Sequence, residues 1–139
     1  MISYPSIINP DSAFKGNDTR MPPVLIVDDE VDICYLLKGI LRFRNIEASY
    51  VTTLAAAEAH LEKNDPPAIF LDNHLTDGMG MDYISRFKKD HPSTCIIMIT
   101  AYDTSTDSEK AYKEGADFFI GKPFTRETIL KTIDKIDFH

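Results

Sequence analysis

Val24-Leu25-Ile26-Val27-Asp28-Asp29-Glu30 is the stretch from which the rest of the chain can be read. Four consecutive apolar residues give a strand buried on both faces, the habit of a parallel sheet rather than of a half-wetted antiparallel one. The run stops abruptly at three carboxylates. Ile33, Leu36, Leu37, Ile40 and Leu41 then recur at helical spacing, so the acidic triplet occupies a strand-to-helix turn.

The same unit recurs four more times. Ile46-Glu47-Ala48-Ser49-Tyr50-Val51 alternates more than the first run and suits a sheet edge. A helix follows with Leu54, Ala57 and Leu61 inward, ended by Asn64 and Pro66-Pro67. Ala68-Ile69-Phe70-Leu71 ends in Asp72. A loop with Gly78 and Gly80 leads to a helix carrying Tyr83, Ile84 and Phe87, stopped by His91-Pro92. Cys95-Ile96-Ile97-Met98-Ile99 ends at Thr100. The spacing predicts a weakly apolar fourth helix over 106–114, with Ala111 and Tyr112 to bury, capping-box spacing at Thr106 and Glu109, and Gly115 as its stop. Asp117-Phe118-Phe119-Ile120 is the fifth strand, followed by Lys122-Pro123. Phe124 and Ile129 flank Thr125 as a hydrophobic staple for a last helix burying Ile129, Leu130, Ile133 and Ile136.

Strand and helix repeated five times give an α/β fold: a doubly wound parallel sheet with helices on both faces, made by right-handed crossovers. Ligands of such sheets bind beyond the carboxyl ends of the strands. Residues 1–22 hold Pro5, Pro10, Gly16 and Pro22 without any period and are expected to be a flexible arm ahead of a domain at 23–139.

Composition narrows the function. Of 139 residues, 43% are hydrophobic, enough for a core at this length. A net charge of -7 and a pI of about 5.0 argue against binding nucleic acid or an anionic membrane. Cys34 and Cys95 lack CxxC or histidine company and read as buried free thiols. With neither a signal peptide nor a membrane-length apolar run in view, the expected location is cytoplasmic. His60, His91 and His139 are expected at the surface.

Chemistry gathers at the strand ends. The first delivers Asp28 and Asp29, the third Asp72, the fourth Thr100, and Lys122 follows the fifth. Three neighbouring carboxylates raise one another's pKa unless a cation neutralises them, and all-oxygen ligation favours a hard ion such as Mg²⁺ over zinc. Capping of the first helix would account for one of the two leading aspartates, not for both together with Asp72.

The segments Val24-Leu25-Ile26-Val27-Asp28-Asp29-Glu30, Leu71-Asp72-Asn73-His74-Leu75, Ile99-Thr100-Ala101 and Lys122-Pro123-Phe124 closely resemble the signature of response-regulator receiver domains, over roughly residues 23–137. The resemblance implies a flavodoxin-like, five-stranded sheet of order 2-1-3-4-5. It implies a signalling switch of a two-component phosphorelay rather than an enzyme, one that at most catalyses its own phosphorylation and autodephosphorylation. Asp72 would accept the phosphoryl group. Asp28, Asp29, Asp72 and the backbone carbonyl of His74 would hold Mg²⁺ (or Mn²⁺). Thr100 would be the switch hydroxyl, Lys122 the cation pairing with the acceptor, and Phe119 the aromatic switch residue. The implied partners are a sensor histidine kinase or phosphotransfer protein, and a second copy through the helix 4–strand 5–helix 5 face.

Three departures stand out. Thr76 replaces a common proline, which predicts a more mobile loop after Asp72. Phe119 lacks the hydroxyl of the commoner tyrosine. His74 and Tyr102 place bulky rings two residues beyond Asp72 and Thr100, where they would shield an acyl phosphate from water.

Rival readings fit less well. A flavin or nucleotide binder needs a Gly- or Ser/Thr-rich first loop, and this one is acidic. An aspartyl-phosphate hydrolase needs a second acid, and position 74 is histidine. A degenerate receiver, acting as a phosphorylation-independent interaction module, would have lost an acid or the lysine. The last helix is expected to end near His139, which leaves no room for an output module within this sequence.

Overall fold

The unbroken apolar runs have a direct structural cause in the computed structural model, which describes residues 21–101 and 105–138. Side chains alternate faces along a strand, so a run with both faces covered must be apolar at every position. In β1 (Val24–Val27), Val24 and Ile26 face one core, and Leu25 and Val27 face the other. β3 (Ala68–Asp72) and β6 (Cys95–Thr100) repeat the division, with Phe70, Ile97 and Ile99 on the first side and Ile69, Leu71, Ile96 and Met98 on the second.

Five parallel strands form the sheet, in the order β2-β1-β3-β6-β7, with β2 at Ala48–Val51 and β7 at Phe118–Gly121. Counting only these five, the order is the expected 2-1-3-4-5. Helices α1 (Val31–Leu41) and α5 (Arg126–Ile133) cover the first face with Cys34, Leu37, Ile40, Leu41, Ile129 and Ile133. Helices α2 (Leu54–Lys63), α3 (Ile84–Asp90) and α4 (Ser105–Glu114) cover the second with Leu54, Ala57, Leu61, Ile84, Phe87 and Ala111. No helix among the described residues is long and apolar enough to cross a membrane.

Several expectations shift. Among the described residues β2 does pair only with β1, but it starts at Ala48. Asn45 takes the left-handed conformation, the Ile46 amide donates to the Leu41 carbonyl, and Ile46 plugs the end of the core before the strand begins. β7 starts at Phe118, and the Asp117 carboxylate just before it accepts from the Ile96 amide (2.8 Å) and Lys88 Nζ (2.9 Å). Thr106 lies inside α4 and so does not begin it as a cap. Tyr112 is 49% exposed, which leaves Ala111 as the only fully buried residue of that helix. At α5 the Thr125 hydroxyl accepts from the Thr128 amide, and Phe124 and Ile129 share one apolar cluster, as a staple requires. Leu130 and Ile136 are half-buried. His91 is also half-buried, with Nδ1 2.8 Å from Asp65 Oδ1. Residues 1–20 of the expected arm (1–22), Tyr102 and His139 lie outside the described residues.

The loop after Asp72 is folded. Strands β4 (His74–Leu75) and β5 (Gly78–Met79) form a small antiparallel hairpin turned at Thr76 and Asp77.

Candidate functional site

Parallel strands all point their carboxyl ends at one rim, so residues far apart in sequence meet there. Asp28 follows β1 and Asp72 ends the neighbouring β3. Thr100 ends β6, one residue beyond Ile99, which pairs with Asp72. Gly121 pairs with Thr100, and the Lys122 amide donates to the Thr100 carbonyl (2.8 Å), which sets Lys122 beside it.

Asp28, Asp29 and Asp72 each bring a carboxylate oxygen within 4.8 Å of the others. Asp28 is 2% exposed and Asp72 5%, whereas Asp29 lies open to solvent. Asp28 does not cap α1. Its Oδ1 accepts from the Glu30 amide (2.9 Å), and the helix starts after Glu30 with no side-chain cap. Lys122 Nζ lies 2.8 Å from both Asp28 Oδ2 and Glu30 Oε1, and 3.7 Å from Asp72 Oδ2. The lysine is thus held more closely by the first-strand turn than by Asp72. Glu30 as a partner of Lys122 was not legible in the sequence, because its long side chain gives no fixed direction.

The Thr100 side chain is fully buried, and its Oγ1 has no hydrogen-bond partner among the described residues. A buried hydroxyl left unpaired is costly. Phe119 is half-buried on β7 and packs on the second-face core, while Phe118 packs on the first.

Burial pushes the Asp72 carboxyl up to about 6, and the charge of Asp28 adds to the rise. Lys122 and the backbone amides of His74 and Asn73 offset it in part. Burial also raises Asp28, against the pull of Lys122. Lys122 is raised by its carboxylate partners in spite of its own desolvation. Asp72 is ordinary near 3.8 when unfolded. It therefore favours folding most below that value, and the contribution is lost as pH rises through about 6. At about 1.36 kcal/mol per unit, the charged Asp72 costs the metal-free protein up to about 3 kcal/mol. Asp72→Asn is expected to raise the chelator-treated unfolding midpoint at pH 7 and to lose this advantage towards pH 4. An Asp72→Asn chain no more stable than the parent at pH 7 would contradict the electrostatic account.

Two further residues shape the site. The Asn73 side chain is buried, and its Oδ1 accepts from the Met81 amide (2.9 Å) while its carbonyl accepts from the Gly80 amide (2.8 Å). Gly80 lies directly against the Asp72 carbonyl. The pair of glycines marked a loop but not which of them touched the acid. Cys34 Sγ lies 3.4 Å from the Asp28 carbonyl, and burial pushes its thiol up to about 11, so it stays protonated.

A carboxylate cluster with only oxygen donors, beside an orphaned hydroxyl, fits a hard divalent cation. The sequence profile described as response regulator receiver domain matches residues 24–134. The nitrogen assimilation regulatory protein NtrX of Azorhizobium caulinodans is 33% identical over 109 residues, which cover 77% of this chain and 24% of that protein. The crystal structure of a CheY-like response regulator receiver domain protein from Methanospirillum hungatei superposes with a TM-score of 0.78 at 28% identity, covering 84% of this chain and 93% of the other. A Burkholderia pseudomallei response regulator crystallised with a phosphorylated aspartic acid, a calcium ion and citrate is 25% identical, with a TM-score of 0.73 over 78% of this chain and 64% of its own. This chain spans about a quarter of the length of NtrX and of PilR from Pseudomonas aeruginosa.

Proposed function

Because the chain belongs to the family of response regulator receiver domains, we propose that it is a phosphoacceptor switch whose acceptor is Asp72. The observation that carries this reading is the meeting of Asp28, Asp29 and Asp72 within 4.8 Å, with Lys122 at their edge. Asp28, Asp29, Asp72 and the His74 carbonyl would hold Mg²⁺, with Mn²⁺ as a substitute. When bound, the ion supplies neutralisation of charge on the transferring phosphoryl oxygens.

The residues do the rest. A carboxylate oxygen of Asp72 attacks the phosphorus of a phosphohistidine on a sensor kinase or phosphotransfer protein. The O–P bond forms as the P–N bond breaks, and the departing imidazole keeps the electron pair and takes up a proton. Lys122 is tethered at Asp28 and Glu30 and needs to move little to pair with the new phosphoryl group. The Thr100 hydroxyl gains the partner it lacks by donating to a phosphoryl oxygen. Its strand end shifts, Phe119 repacks, and the surface of α4, β7 and α5 changes. A second copy or an output partner reads that face, where Tyr112 is already exposed. α4 buries little, which suits a segment that shifts readily.

The test is intact-mass spectrometry after incubation with Mg²⁺ and acetyl phosphate. One phosphoryl group should add to the parent chain and none to Asp72→Asn. A parent chain that stays unmodified under those conditions, and with phosphorylated kinase, would return the interaction-module reading.

A further inference from the structure

The β4–β5 hairpin is anchored at its root by Asn73, and a second tie holds its tip. Asp77 sits at the turn. Its Oδ1 accepts from the Leu54 amide (2.9 Å) and its Oδ2 from the Ala55 amide (3.0 Å), across 23 and 22 residues of sequence. These are the first two amides of α2, which also has a cap of its own: the Thr53 hydroxyl accepts from the Ala56 amide (3.0 Å). Gly78 seats the hairpin on the same helix, since a Cβ there would lie 3.1 Å from Leu54 Cδ1.

The other end of this contact leads back to the acids. α2 follows β2, whose last residue, Val51, accepts from the Asp28 amide (3.2 Å). The path from Asp72 through the hairpin, Asp77, the start of α2 and Val51 to Asp28 is a closed ring. The turn at Thr76 and Asp77 contains no proline to stiffen it. Asp77 is exposed, so apolar burial does not hold it in place. The restraint on the tip comes from its two hydrogen bonds to charged oxygens, the stronger class of such bonds.

We infer that Asp77 is a positioning residue: by clamping the β4–β5 hairpin to the N-terminus of α2, it fixes the His74 carbonyl relative to Asp28, Asp29 and Asp72 and thereby sets the affinity for the divalent cation. The inference rests on reading the acidic cluster as a cation site. Groups that orient metal ligands typically change affinity by about tenfold or more, and one acting through a hairpin should change it less, about three- to tenfold.

The experiment is a Mg²⁺ titration followed by backbone amide chemical shifts for the parent, Asp77→Ala, Asp77→Asn and Thr53→Ala chains, with urea unfolding of each. Asp77→Ala should raise half-saturation about three- to tenfold. With acetyl phosphate it should need correspondingly more Mg²⁺, yet reach the parent rate at saturation. Asp77→Asn keeps one acceptor oxygen and should fall between. Thr53→Ala weakens α2 but leaves the clamp, so it should lose stability and keep the parent's Mg²⁺ affinity. An unchanged half-saturation in Asp77→Ala, or an equal shift in Thr53→Ala, overturns the clamp while the cation site stands. A parent chain that gives no Mg²⁺ response overturns the cation reading, and the clamp with it.

Discussion

Lys122→Ala is expected to lower the stability of the metal-free protein by about 3–5 kcal/mol near neutral pH, with excess Mg²⁺ restoring most of the loss. The Lys122 side chain is 11% exposed, and the ion pairs of the acidic pocket among the described residues all end on it. Glu30 is mostly in water and loses little when the lysine goes. Asp28 and Asp72 are buried, and their charges would face each other with only backbone amides to offset them. Removing one partner of a buried set costs more than the set contributes, because a desolvated charge stays behind. The sign of the pH dependence follows. Both carboxyls are already raised above their ordinary values, and losing the ammonium raises them further. The variant therefore recovers towards the parent as pH falls and the carboxyls protonate, and is weakest at neutral pH and above. Urea midpoints with chelator and with Mg²⁺ measure the effect. Equal midpoints for parent and variant in chelator would show that the lysine does not hold the pocket together.

Gly80→Ala carries the second large effect, about 2–3 kcal/mol of stability together with weakened Mg²⁺ binding. A Cβ at Gly80 would stand 2.2 Å from the Asp72 carbonyl oxygen and 3.0 Å from Leu71 Cγ. That carbonyl has little room to move. Leu71 pairs with Val27 on one side and Met98 on the other, and Asp72 pairs with Ile99. The loop must yield instead, which strains the Gly80 amide bond to the Asn73 carbonyl and disturbs the backbone next to the acceptor. Gly39, inside α1, has no atom of the described residues within 4 Å of where a Cβ would stand. Gly39→Ala is expected to stabilise the helix by about 0.5–1 kcal/mol, and it controls for the substitution itself. If both alanine variants unfolded at the parent's midpoint, the close approach at Gly80 would have no energetic weight.

These two sites differ in how far the sequence announced them. Lys122 was legible because it followed the fifth apolar run and preceded Pro123, and doubly wound sheets gather such positions at one rim. Its nearest partners were not, because a four-carbon stem reaches several acids and only the folded distances decide among them: the exposed Glu30 lies as close as the buried Asp28, and closer than the buried Asp72. Gly80 was visible as a loop glycine, but nothing in the order of residues said that it would lie against the Asp72 carbonyl. Tyr112 looked like a core residue by spacing, yet α4 buries only its alanine fully and leaves the ring outside. Thr76 in place of a proline suggested a loose loop. The hairpin and the Asp77 carboxylate supply restraint from elsewhere in the chain.

The chain alone determined the alternation of strand and helix, the parallel sheet and the rim that holds Asp28, Asp72, Thr100 and Lys122. Those follow from periodicity and from the direction of parallel strands, both of which are local and repeated. Tertiary structure decided how deeply each acid is buried, which carboxylates the lysine prefers, that the Thr100 hydroxyl has no partner among the described residues, and that Asp77 bonds the first two amides of α2. Each of these depends on distances between segments separated by tens of residues, and such distances are set by packing, which no local pattern encodes.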